Sequence, residues 1–167
     1  QRQMCIRDSA STKPFGFSRF DPGPGLGGHC IPVDPWYFAW AASRAGHPSR
    51  FVELAGEINT QMPRHVVNAV ASILAQDAKD LDGSSVLVLG VAYKKNVGDV
   101  RETPAAPIVE DLQERGAQVQ YHDPLVPNFP KMRRHDLGLH SVPLTEQVVH
   151  DADVVLIVTD HDAIDFS

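Results

Sequence analysis

From Val86 to Tyr93 the chain reads VLVLGVAY, apolar almost without interruption. A strand of this composition has no solvent face. It fits a parallel sheet covered by helices on both sides. DVVLIVTD, at Asp153–Asp160, reads as a second buried strand. Between the two, TPAAPIVEDLQERG (Thr103–Gly116) reads as a helix, with Thr103 as N-cap, Pro104 in the first turn and Gly116 as terminator. AQVQYHD (117–123) alternates like a strand, HSV (140–142) is a short strand, and LTEQVVHDA (144–152) is a short helix. The order β-α-β, then α-β, predicts an α/β fold with a Rossmann-like, doubly wound, mostly parallel sheet over 83–167. Ligands bind such sheets beyond the carboxyl ends of the strands. That edge would carry AYKKNVGDVR (92–101) and YHDP (121–124).

The first half has a different character. Residues 1–10 show no periodicity and are expected to be a disordered or non-native extension. Prolines at 14, 22, 24, 32 and 35 make 11–35 an ordered loop at best. Asp34 then reads as the N-cap of a helix with Pro35 at its first position and Gly46 at its end. Apolar residues recur at 51, 54, 58, 62, 66, 67, 70, 73 and 74, the stripe of an amphipathic helix over 51–78, which Pro63 should kink or break. The stripe suits either an intramolecular core or a subunit interface. The expected division is therefore 1–10 extension, 11–82 loop and central helical region, and 83–167 sheet domain. The chain is expected to be a piece of a longer protein, cut at both ends.

Several function classes are disfavoured. A formal net charge of −6 is a poor match for a binder of nucleic-acid phosphates. No apolar run reaches the length of a bilayer span, and no secretory signal is visible. Two cysteines, Cys5 and Cys30, make no disulfide framework and point to a reducing, cytoplasmic compartment.

GPGLGGHCIPVDP, at 23–35, concentrates the chemistry. Gly23, Gly25 and Gly28 have G-x-G-x-x-G spacing, yet no strand precedes them and Pro32 follows before any helix. A dinucleotide cradle needs both flanks. His29, Cys30 and Asp34 are metal-ligand types, but adjacent side chains rarely converge on one ion and no second Cys/His pair stands at metal spacing. DHD, at Asp160–Asp162, reads as a solvated strand end. Two readings of Cys30 remain: an inert buried thiol, or a nucleophile in a glycine-shaped, proline-stiffened turn with Asp34 nearby to position water or a proton.

KPFGFSRFDPGPGLGGHCIPVDPWYF, ELAGEINTQMP, LGVAYKKNVGDVRETPA and YHDPLVP stand in one order along the chain. Together they resemble the UDP-glucose/GDP-mannose dehydrogenase family over about residues 11–167. The G-G-H-C-I-P-x-D-P form is most similar to UDP-N-acetylglucosamine (or N-acetylmannosamine) 6-dehydrogenases; UDP-glucose members usually carry Ser before the cysteine. The resemblance implies an NAD-dependent oxidation of a UDP-sugar C6 alcohol to the uronic acid in two hydride transfers, feeding polysaccharide synthesis. It implies Cys30 as the nucleophile that forms a thiohemiacetal and then a thioester, with Asp34 assisting proton transfer or hydrolysis. Gly25, Gly27 and Gly28 would contact the sugar nucleotide through their backbone. Tyr93 and Lys94 would bind the uridine nucleotide, and Arg101 would reach the NAD diphosphate. His29 receives no role. Asp123 and Pro124 would make a turn. Lys95 would be solvated, and Asp99 and Glu102 would be plain loop and helix-start charges. The family's NAD domain and its active-site Lys and Asn have no counterpart in this sequence, so the chain alone is expected to be inactive. The 51–78 helix resembles the family's dimerisation region, which makes a homodimer or higher homo-oligomer the expected assembly. The alternatives are a non-catalytic nucleotide-sugar-binding or dimerising module, and UDP-glucose as substrate.

Overall fold

The computed structural model describes residues 2–17 and 19–166, with Gln1, Ser18 and Ser167 outside that range. Three strands form one parallel sheet in the order β2-β1-β3: β1 (Ser85–Leu89), β2 (Gln118–His122) and β3 (Val154–Ile157). β1 pairs Val86 with Val119 on one side and with Val154 on the other. Val86 and Val88 face a cluster built from α3 (Arg50–Gln76) and α4 (Ala105–Glu114), including Val67, Val70, Leu74, Ile108, Val109 and Leu112. Leu87 and Leu89 point the other way, onto Ile164, Leu144 and Val148, the last carried by α5 (Glu146–His150). Both faces of β1 are therefore dry, as its composition requires. Each fully buried Val or Leu there contributes about 1.5–3 kcal/mol. The expected α/β, doubly wound arrangement is what forms.

β3 departs from expectation. Among the described residues it stands at one edge of the sheet, and Val155 and Ile157, on the face of Leu87 and Leu89, are exposed. Pro63 also fails to end the central helix: α3 is one helix of 27 residues with Pro63 inside it. Proline removes one backbone hydrogen bond, and the packing of Val67, Val70 and Leu74 a turn later on α4 holds the far half in place. Residues at the start, expected to lack an element, form α1 (Arg2–Ser11). No proline or glycine occurs before Pro14, so nothing interrupts a helix there. Exposed ion pairs Arg7–Asp21 at 2.8 Å and Arg19–Asp8 at 2.9 Å tie α1 to the following loop.

The cap residues shift by one. α2 (Asp34–Arg44) begins on Asp34 itself after Val33, with Pro35 in its first turn, and Gly46, at φ 82°, follows its end. Thr103 caps α4 through its side chain: Oγ1 accepts from the Ala105 N–H at 3.2 Å and donates to the Val91 carbonyl at 2.8 Å. One hydroxyl thus joins the helix start to the loop after β1. At α5, Thr145 Oγ1 accepts from the Val148 N–H.

Candidate active site at the carboxyl edge of the sheet

β1 ends at Gly90, whose φ is 74°. A Cβ there would overlap the Thr159 carbonyl oxygen, so only glycine lets the chain turn this tightly against the end of β3. The following residues carry Tyr93, Lys94 and Arg101. Their backbone is bound from several sides. Tyr93 N–H donates to the Asp99 carbonyl at 2.9 Å, and Thr159 Oγ1 donates to the Ala92 carbonyl at 2.6 Å. Lys94 is exposed, and its ammonium makes no ion pair among the described residues. Lys95 is not merely solvated: its ammonium lies 2.6 Å from Asp162 and 3.4 Å from Asp160, and the hydrogen bond to Asp162 raises its pKa. The two neighbouring lysines are thereby distinguished, one neutralised by carboxylates and one free at the edge.

Arg101 lays its guanidinium on Asp99, with Nε at 2.9 Å and Nη2 at 2.6 Å from Oδ2. That fork, joined by the Arg101 N–H, holds the Asp99 carboxyl below its ordinary pKa, with a lesser contribution from nearby His29. Asp99 is thus the partner of Arg101 rather than a plain loop charge.

The glycine loop docks directly on this edge. The Gly28 N–H donates to the Arg101 carbonyl at 2.9 Å. A Cβ on Gly27 would overlap Tyr93 Cβ and sit 3.0 Å from the Glu102 carbonyl; one on Gly28 would sit 3.1 Å from the Tyr93 ring, and one on Gly25 3.0 Å from Pro104. Glycine is needed here for close approach between two parts of the chain. Glu102 adopts φ 49°, an uncommon left-handed conformation for a side-chain-bearing residue, at the junction where the loop meets α4.

Two residues beyond Gly28, Cys30 is exposed and unpaired. Its carbonyl accepts from the Val33 N–H at 3.0 Å and the Asp34 N–H at 2.7 Å. The second is an α-type turn, so Cys30 stands one turn ahead of Asp34 at the start of α2. Both side chains are exposed. That helix end favours negative charge, and His29 is exposed beside them. The buried reading of Cys30 does not hold, since its thiol is exposed.

Sequence reasoning missed the keystone of the edge. Asp123, expected to make a turn, does so with Oδ1, which accepts from Leu125 and Val126 N–H groups at 2.8 and 3.0 Å. Its Oδ2 accepts from Val91 at 2.7 Å and Ala92 at 3.2 Å, across from the end of β1. His161 Nε2 lies 3.2 Å from the same oxygen, and both side chains are fully buried. DHD at 160–162 is therefore no solvated strand end in its central residue. The alternation of polar and apolar residues carries no sign of this, since the partners come from three separate loops.

Adjoining the glycine loop, a cavity of about 760 Å³ opens between it, α3 and the start of α4; Trp36, Phe51, Asn59, Pro104 and Arg134 are among its walls. Among the described residues no three His, Cys, Asp or Glu side chains gather as a metal site, and no helix is long and apolar enough to cross a membrane.

The chain matches two non-overlapping family models: the UDP-glucose/GDP-mannose dehydrogenase family central domain over residues 4–61, and the UDP-binding domain of the same family over 87–166. The central-domain match takes in most of α1. A UDP-N-acetyl-D-mannosamine dehydrogenase of Methanococcus vannielii is 34% identical over 141 residues, 84% of this chain and 30% of the relative. The enzyme of the same name from Escherichia coli K12 is 34% identical over 146 residues, 84% of this chain and 33% of the relative. The solved NDP-N-acetyl-D-galactosaminuronic acid dehydrogenase of Methanosarcina mazei Go1 superposes with a TM-score of 0.79 at 30% identity, covering 96% of this chain and 34% of that one. This chain spans about a third of the length of these relatives.

Proposed function

Because the chain belongs to the UDP-glucose/GDP-mannose dehydrogenase family, we propose that it supplies the nucleophile and the nucleotide-binding edge of an NAD-dependent UDP-sugar 6-dehydrogenase. One observation carries the proposal. The cysteine loop is pressed onto the loop that bears Tyr93 and Lys94, so an exposed thiol and an unpaired cation share one edge.

Lys94 would meet the diphosphate as a free point charge and Tyr93 the base or ribose. The backbone from Gly25 to Gly28 would line the sugar side. Cys30 would act on the C6 carbon once it has reached the aldehyde level. Its thiolate adds to the carbonyl carbon, the C=O π pair moves to oxygen, and that oxygen takes a proton, giving a thiohemiacetal. Loss of the C6 hydride and the hydroxyl proton gives a thioester. Water adds to the thioester carbonyl, and the C–S bond breaks with return of the thiolate and release of the carboxylate. Asp34, one turn from Cys30, would orient that water or carry its proton.

NAD⁺, when bound, accepts the hydride in each oxidation. Within this chain Gly25, Gly27 and Gly28 pack against Tyr93 and Pro104, which supports reading 23–28 as a contact loop and not as the dinucleotide cradle. Arg101 is the residue proposed to meet the cofactor diphosphate, by exchanging Asp99 for phosphate as the partner of its fork. The chain by itself would bind nucleotide sugar without oxidising it.

As substrate we favour a UDP-N-acetylhexosamine over UDP-glucose. His29 ahead of Cys30 supports that class, and so do the names of the relatives, which carry the N-acetylmannosamine epimer and not the N-acetylglucosamine one. Two free cysteines and no membrane-crossing helix among the described residues accord with a cytoplasmic location. Homodimerisation through 51–78 is supported by Phe51, Leu54 and Ile58, which lie exposed along α3.

Thiol labelling tests the proposal on the chain itself. Iodoacetamide should alkylate Cys30 rapidly near neutral pH, and UDP-N-acetylglucosamine should slow the reaction at least fivefold. A slow, unprotected thiol would instead favour a non-catalytic binding or dimerising module.

A further inference from the structure

The ends of all three strands meet on one buried pair. Asp123, just after β2, receives the N–H groups of Val91 and Ala92 from the loop after β1. His161, in the turn after β3, faces the same carboxylate oxygen with Nε2. Its other nitrogen, Nδ1, accepts the Asn96 N–H at 2.9 Å. A ring nitrogen that accepts carries no proton, so the proton of the neutral imidazole sits on Nε2 and is donated to Asp123. Both nitrogens are thereby used, one on each side, with no solvent access to either side chain.

Asn96 is the residue this arrangement holds under strain. It has φ 59°. Its side chain donates to Asp162 Oδ2 at 2.6 Å and accepts the Asp162 N–H at 3.0 Å. The segment from Val91 to Asn96 is thus fastened at its start by Asp123 and at its end by His161 and Asp162. Tyr93 and Lys94 lie between the two fastenings. A loop held at both ends loses less freedom when a ligand binds its middle.

We propose that His161 and Asp123 are positioning residues that hold the 91–96 loop in the shape in which Tyr93 and Lys94 receive a nucleoside diphosphate. This rests on the reading of Tyr93 and Lys94 as nucleotide contacts. His161 touches no ligand. It acts through Asn96 on one side and through Asp123 on the other.

Two experiments on the 167-residue chain separate this role from plain core stability. The first uses no ligand. In the unsubstituted chain the His161 ring should be in the Nε2–H form by nitrogen NMR shifts, and the Asn96 amide should exchange at least a hundredfold more slowly than an open loop amide. An Nδ1–H ring or a rapidly exchanging Asn96 amide would overturn the lock. The second titrates UDP by calorimetry. His161→Phe fills the space without polar atoms and should weaken UDP binding tenfold or more. His161→Asn keeps an acceptor at the δ position for the Asn96 N–H and should remain within threefold of the parent. Equal affinity in all three chains, or equal loss in both variants, would overturn the positioning role. If the unsubstituted chain takes no UDP while Asn96 stays protected, the nucleotide reading falls and the positioning role with it, but the lock stands.

Discussion

Gly90 shows how one residue sets the geometry of the edge. Its carbon skeleton lies against the Thr159 carbonyl and its φ is 74°, so both space and backbone exclude a side chain. Gly90→Ala should cost about 2–3 kcal/mol, from overpacking plus strain, read as a lower urea midpoint with unchanged slope. A loss below 0.5 kcal/mol would contradict that contact. Tyr121 is a second such residue. It is fully buried beneath the edge, donates to the Val126 carbonyl at 3.0 Å and packs edge-on against Phe129. Burial, aided by the Asp123 charge, pushes its hydroxyl up to about 12 from the ordinary 10.0. Because the folded value is the higher one, this group's contribution to stability is complete below pH 10 and is lost as pH rises through about 12. Absorbance titration should show a late-ionising tyrosine that Tyr121→Phe removes; a Tyr121 that ionises near pH 10 would be incompatible with its site. Cys30 and Asp34 could be singled out from composition and spacing, because reactive groups beside glycines and prolines stand out in a sequence, whereas Lys94 comes only from the family resemblance. Asp123 and His161 could not, since an isolated Asp-Pro and a His between two aspartates look like ordinary turn and surface residues until three loops are brought together.

Elements divide along similar lines. β1 was legible because a strand dry on both faces has no polar residues to hide, and α4 because Thr103, Pro104 and Gly116 mark its limits. β3 looked equally buried, yet Val155 and Ile157 lie exposed among the described residues, since cover depends on what packs on a strand and not on its own sequence. α3 shows both cases in one helix. Its second half buries Val67, Val70 and Leu74 on α4, whereas its first half leaves Phe51, Leu54 and Ile58 exposed. Periodicity reads the two stripes alike; only the fold shows which has a partner. If the exposed stripe is the homodimer contact, Leu54→Asp in the complete protein should shift the sedimentation profile toward monomer and leave the thermal midpoint of the 83–167 region within about 2 °C, since a surface change moves stability little. An unchanged dimer would place the contact elsewhere. Thr103→Val should lower stability by about 1–3 kcal/mol in a urea melt, because it removes the α4 cap and leaves the Val91 carbonyl without its donor.

At the scale of the whole molecule, the proposed nucleophile and the proposed nucleotide edge come from regions some sixty residues apart in sequence, Cys30 against Tyr93 and Lys94. Their meeting depends on glycines that allow backbone-to-ring contact and on the Gly28–Arg101 hydrogen bond. Gly25, Gly27 and Gly28 thus serve contact between two halves of the chain, a use the spacing of the motif does not reveal. In the proposed reaction Cys30 carries the sugar carbon between two oxidations. Counting NADH formed per UDP-N-acetylhexosamine consumed by the complete protein tests it most directly. Two NADH per sugar, with the uronic acid as product, is the predicted result, and Cys30→Ser should fall to no more than one, with no acid released. Two NADH per sugar from the Cys30→Ser protein would contradict the claim.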